Sequence, residues 1–146
     1  MRANLLLLKL ASLAAAGAIL SVAAGWAAAD VVAVISAKNP VTALSRNQVV
    51  EIFLGKSSRF PDGSQAVPID QAEGSAARDE FYTNFAGKSP AQVKAYWSKI
   101  IFTGRGQPPR QVPNGVEMLK VIADSPGTIG YIEQSLVDSS VKVLGP

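Results

Sequence analysis

The stretch Pro68-Ile-Asp-Gln-Ala-Glu-Gly-Ser-Ala-Ala-Arg-Asp-Glu-Phe81 combines the residue types that can hold an anion. It reads as a strand running into a glycine and a serine that open a helix. The first turn of a helix leaves backbone N–H groups without intrahelical partners, and the aligned peptide dipoles add about half a positive charge there. Gly74 lets a ligand approach the backbone, Ser75 offers a hydroxyl, and Arg78 lies one turn in, where a cation calls for a negative partner. A phosphate-sized oxyanion suits that set. The same residues also read as an ordinary capped helix, with Ser75 as N-cap and Asp79 and Glu80 facing the dipole.

Other chemistry is thinly supplied. The 146 residues contain no cysteine and no histidine, which excludes disulfides and thiolate metal sites and removes the commonest metal ligand and general base. No metal and no cofactor is expected, and a Ser-His-Asp hydrolase is excluded. Ser75 with a lysine, or the carboxylates Asp70, Glu73, Asp79 and Glu80, would be the raw material of an enzyme. Nothing arranges them as a nucleophile with its base, so they read as solvated charges near a helix start and no catalysis is expected.

The elements that must position the 68–81 stretch alternate between strand and helix signals. Val31-Val-Ala-Val-Ile35 is a buried-strand pattern, ended by Asn39-Pro40. Ser45-Arg-Asn-Gln48 forms a capping-box pattern ahead of an apolar helix face made of Val49, Val50, Ile52 and Phe53, with Gly55 as its stop. Pro61-Asp62-Gly63 is a turn, and Ala66 to Asp70 is a second strand whose Pro68 marks an edge or a strand start. Ser89-Pro90 opens another helix, with Val93, Tyr96, Trp97, Ile100 and Ile101 as its core positions. The glycine- and proline-rich Thr103 to Arg110 is expected as a solvated loop, with closure over an anion as its alternative. A helix over Asn114 to Asp124, strands at Thr128 to Ile132 and Val141 to Leu144, and a helical turn near Glu133 to Val137 complete the order β-α-β-α-α-α-β-β.

The N-terminus carries a different signal. Arg2 and Lys9 precede a long Ala/Leu/Val run that ends in Trp26-Ala-Ala-Ala29, the pattern of a secretory signal peptide over residues 1–29 with cleavage after Ala29. An uncleaved membrane anchor is the alternative. Losing Arg2 and Lys9 lowers the formal charge from +3 to about +1, so no nucleic-acid partner is expected. Residues 30–146 are the size of one domain, and the expected location is the periplasm.

Three motifs in order resemble one family, the phosphate-binding proteins that serve ABC importers. Leu44 to Lys56 resembles that family's helix ending in Ile-Phe-x-Gly-Lys, followed by the Asp62-Gly63 turn. Pro68 to Phe81 resembles its phosphate-holding helix start, and Ser125-Pro-Gly-Thr-Ile-Gly-Tyr-Ile132 its Pro-Gly-x-Ile-Gly-Tyr strand. The resemblance implies a single lobe of a type II periplasmic binding protein, an α/β fold with a mixed β-sheet flanked by helices, over residues 30–146.

The resemblance also implies a site that binds phosphate or a similar oxyanion, made of Gln71, Glu73, Gly74, Ser75, Ala76 and Arg78. Glu73, Gly74 and Ser75 match the family's motif. Gln71 stands where the motif has a bidentate arginine, and Ala76 and Ala77 replace a glycine and a threonine, so Arg78 is the expected countercharge. Glu73 would accept a hydrogen bond from a protonated oxyanion, favouring phosphate over sulfate. The implied role is accessory to ABC-type phosphate transport or sensing, with an ABC permease or a periplasmic protein as partner. The family traps its ligand between two lobes, so closing this site calls for a second protein or a dimer. The alternative is a non-catalytic interaction protein that keeps the lobe and has lost the ligand.

Overall fold

The computed structural model describes residues 30–144. The signal peptide expected over residues 1–29 lies outside them.

Capping signals written in the sequence open all four α-helices. Ser45 accepts from the Gln48 N–H while the Gln48 side chain returns to the Ser45 N–H, a complete capping box that starts α1 (Arg46–Phe53). Ser89 and Gln92 repeat the device at α3 (Pro90–Phe102), whose first residue is proline. Asn114 caps α4 (Gly115–Asp124) through the Glu117 N–H. The short α2 (Ala76–Phe81) starts at Ser75 and widens into a π-turn over Tyr82–Ala86.

Five strands form one mixed sheet: β1 (Val31–Ser36), β2 (Val67–Gln71), β3 (Arg110–Val112), β4 (Thr128–Glu133) and β5 (Val141–Leu144), in the order β3-β2-β4-β1-β5. β2 runs parallel to both β3 and β4, whereas β1 is antiparallel to β4 and β5. β3 is absent from the strands expected from sequence: it begins at Arg110, the last residue of the loop expected over Thr103 to Arg110, and fills the gap before the helix at Asn114. Three residues are too few to show alternation, and their pairing with Ile69–Gln71 is a contact made at long range. β3 also makes β2 an interior strand. Pro68 sits at its start, paired with Ile129 of β4 but ahead of the stretch that β3 covers, where its missing N–H costs no ladder bond to β3.

Helices cover both faces of the sheet. α1, α2, the π-turn and α3 share a core with Ala33, Ile35, Ile129 and Tyr131. α4 packs Met118 and Ile122 against Val34, Ile69 and Ile132 on the other face. The approach is closest at Gly130, where an added Cβ would meet the Met118 sulfur at 2.5 Å. The α3 core was expected to include Ile101, which instead stands 54 % exposed beside a fully solvated Phe102. Val93 and Trp97 carry that helix's buried face.

The path of the chain sets where a ligand can go. From β2 it travels through α2 and α3 on one face to reach β3, and then returns through α4 on the opposite face to reach β4. The carboxyl end of β2 therefore lies where the helical layers part, the usual place for a ligand in an open parallel α/β sheet.

Candidate site at the carboxyl end of β2

Side chains alternate across β2, so Asp70 and Gln71 point to opposite faces. Gln71 is buried, and its amide donates to the Tyr131 carbonyl at 3.1 Å. Its carbonyl oxygen accepts from the Ser75 hydroxyl at 3.1 Å. Gly115, the first residue of α4, lies close by: a Cβ there would stand 4.0 Å from the Gln71 amide nitrogen. The N-termini of α2 and α4 thus meet at the end of β2.

Between Gln71 and Ser75 the backbone makes a tight turn. The Ser75 N–H donates to the Ala72 carbonyl at 3.0 Å, and Gly74 adopts φ 91°, a conformation that favours glycine. The Ser75 hydroxyl accepts from the Arg78 N–H at 3.3 Å. The N–H groups of Gly74, Ala76 and Ala77 are not taken up by other backbone groups among the described residues. Gly74 and Ala76 are exposed, so the turn presents donors to solvent.

The expected site residues divide into three sets. Gln71, Gly74, Ser75 and Ala76 come together at the turn. Glu73 is exposed and pairs with Lys94 of α3 at 3.7 Å. Arg78 turns inward, 7 % exposed, with Nε 3.4 Å from Asp70 Oδ2 and its guanidinium carbon 5.2 Å from the centre of the Tyr82 ring. Its charge already has a partner inside the protein.

Asp70, read from sequence as a solvated charge, is 1 % exposed, which corrects that reading. Its carboxylate accepts from the Tyr82 hydroxyl at 2.6 Å, from the Tyr131 hydroxyl, from the Gln71 N–H at 2.9 Å and from Arg78. Burial, and then the Asp70 charge, push both phenols far above the ordinary tyrosine range. Phe81 stacks on the Tyr131 ring with centroids 4.1 Å apart. This buried knot ties β2 to α2 and β4. Its legible signal was strand alternation, which sends Asp70 and Tyr131 to the same side as α2; Lys94 carried no such signal.

Among the described residues, no cluster of three or more His, Cys, Asp or Glu side chains could hold a metal ion, and no helix is long and apolar enough to cross a membrane.

No protein-family model matches the sequence, and no curated protein matches it significantly. Solved structures do. A putative phosphate ABC transporter substrate-binding protein from Clostridium perfringens, with bound phosphate, superposes with a TM-score of 0.61 at 22 % identity, over 78 % of this chain and 43 % of that one. An ABC-type phosphate transport receptor from Vibrio cholerae also gives 0.61, at 20 % identity, over 78 % of this chain and 44 % of that one. PstS from Borrelia burgdorferi gives 0.58 at 12 % identity, over 79 % and 46 %. The chain has the fold of these proteins, a mixed sheet flanked by helices, and spans less than half of their length.

Proposed function

We propose that this chain is a solute-binding lobe that holds phosphate or a similar oxyanion at the β2–α2 turn, and that it is accessory to ABC-type phosphate uptake or sensing. The observation that carries the reading is the position of that turn: it lies at the carboxyl end of β2, where the helical layers part, in a fold shared with phosphate-binding proteins. The N–H groups of Gly74 and Ala76 are the donors; the Ser75 hydroxyl, which gives its one proton to the Gln71 side-chain oxygen, fixes the turn and joins the donors by rotating from Gln71 to the oxyanion. Arg78 supplies its charge from one turn inside, attenuated by Asp70. Glu73 accepts from a protonated oxygen and so favours phosphate over sulfate. Export to the periplasm under the residue 1–29 signal, with no catalytic step, completes the reading.

A lone lobe leaves one side of the oxyanion in water, where each hydrogen bond adds only about 1 kcal/mol net. Binding by the monomer is therefore weak, and a second copy or a partner protein closes the site. Isothermal titration with phosphate and sulfate tests this through Ala76→Pro. Proline suits the first position of a helix yet removes the N–H, so phosphate affinity falls while stability holds. Unchanged phosphate heats in that variant, or equal sulfate affinity, would refute the donor set or the role of Glu73 respectively.

One observation favours a second reading, an interaction protein without a ligand: Ile101 and Phe102 are exposed together at the end of α3. Absence of any phosphate heat, with self-association or partner binding lost on Phe102→Ser, would select it.

A further inference from the structure

A pocket of about 170 Å³ opens between α2, α3 and the loop ahead of β3. Arg78 and Lys94 line it together with Trp97, and Ile101 and Pro108 extend its apolar wall. The buried Arg78 guanidinium commits only Nε to the protein, at Asp70, and its two Nη atoms make no hydrogen bond to any described residue. A planar fork of unpaired N–H groups in a pocket wall is suited to a carboxylate, which it can hold with two parallel bonds. Trp97 also keeps an indole N–H without an acceptor among the described residues.

Charge narrows the ligand class. Asp70 offsets Arg78, and Glu73 offsets Lys94 at 3.7 Å, so the pocket has no surplus of positive charge for a dianion. A monoanion carries less charge into these surroundings, and the indole and aliphatic wall calls for a hydrocarbon body rather than a fourth oxygen. We propose that this pocket binds a small monocarboxylate with a short hydrocarbon tail, its carboxylate on the Arg78 Nη atoms and its tail against Trp97, Ile101 and Pro108. The site adjoins the oxyanion turn and shares Glu73 and Arg78 with it, but it takes its ligand on side chains of α2 and α3 rather than on the backbone of residues 74–76. It stands whether or not phosphate binds there.

Fluorescence tests it in the full chain. Trp26 and Trp97 are its two tryptophans, so Trp26→Phe leaves Trp97 as the sole reporter. Butyrate is the probe, with butyramide as its uncharged counterpart and inorganic phosphate as the dianion. A saturable Trp97 response to butyrate, absent with butyramide and not competed by phosphate once Ala76→Pro has removed the turn's donor, is expected. Ser98→Phe, at an exposed α3 position lining the pocket, fills it without touching the Asp70–Arg78 pair and weakens butyrate about tenfold or more, as does Arg78→Lys, which keeps the charge and loses the fork. No saturable response, an equal response to butyramide, competition by phosphate that persists in Ala76→Pro, or undiminished affinity in Ser98→Phe would overturn the assignment. Phosphate heats that respond to Ala76→Pro report on the turn alone, so either site can fail without the other.

Discussion

Asp70 and Gln71 are neighbours in one strand, equally buried, and they solve burial in different ways. Asp70 faces the α2 layer and brings a charge, which the fold satisfies with two phenols, a backbone N–H and a guanidinium. Gln71 faces α4 and brings a neutral amide, which needs only the Tyr131 carbonyl and the Ser75 hydroxyl. Burying a charge demands a complete set of partners, and those partners come from β4, α2 and the π-turn. The buried Gln71 amide has two, one on the adjacent strand β4 and one in the turn that opens α2. The Asp70 side is therefore a tie through the core, and the Gln71 side holds a turn that stays open to solvent.

Removing the carboxylate is the strongest way to test that division. Asp70→Ala leaves the Arg78 charge and two phenols without their acceptor inside the core. It should cost about 3–5 kcal/mol in urea unfolding. A loss below about 1 kcal/mol would mean that Asp70 is no tie at all.

Alkaline titration separates the two sides without a mutation. Tyr82 and Tyr131 keep their protons in the folded protein well above the ordinary value of 10.0, while the unfolded chain releases them there. The stability they contribute is fully present below pH 10 and is lost as pH rises above it, by about 1.4 kcal/mol per pH unit for each tyrosine. Tyr82→Phe and Tyr131→Phe should each flatten that slope and cost about 1–3 kcal/mol at neutral pH. A slope unchanged in both variants would place the pH dependence elsewhere.

Gln71→Ala ranks next. It strips one donor from the Tyr131 carbonyl and one acceptor from Ser75, for a loss of about 1–2 kcal/mol, smaller than that of Asp70→Ala because no charge is stranded. Equal losses at the two positions, measured by the same denaturation, would erase the contrast. Glu73→Ala closes the series: its partner Lys94 is as solvated as Glu73 itself, so stability should change by less than about 0.5 kcal/mol. The effect of that substitution belongs in phosphate-against-sulfate selectivity.

Much of the scaffold was legible because its signals are local. Ser45, Ser75, Ser89 and Asn114 each start a helix by bonding a backbone N–H three residues on, a contact that requires no other part of the chain. β1, β4 and β5 were legible from dense β-branched runs. The turn at Gly74 and Ser75 was legible for the same reason, since glycine and serine carry their conformational preferences with them. The destination of Arg78 was not legible. A cation near a helix start can meet an external anion or an internal one, and the choice depends on which strand residue lies beneath it.

Residue types and near-neighbour spacing thus determined the order of the elements other than β3, the helix starts, the absence of thiol and imidazole chemistry, and the glycine-serine turn. The tertiary structure alone decided that β3 exists, that Asp70 is a buried acceptor and that Arg78 pairs with it. It also decided that Gln71 meets the first residue of α4. The physical reason is that each of these is a contact across a sheet or between layers. Their partners, such as Tyr131 for Asp70, lie far away in sequence. Only the packed α/β sandwich brings such residues within hydrogen-bonding reach.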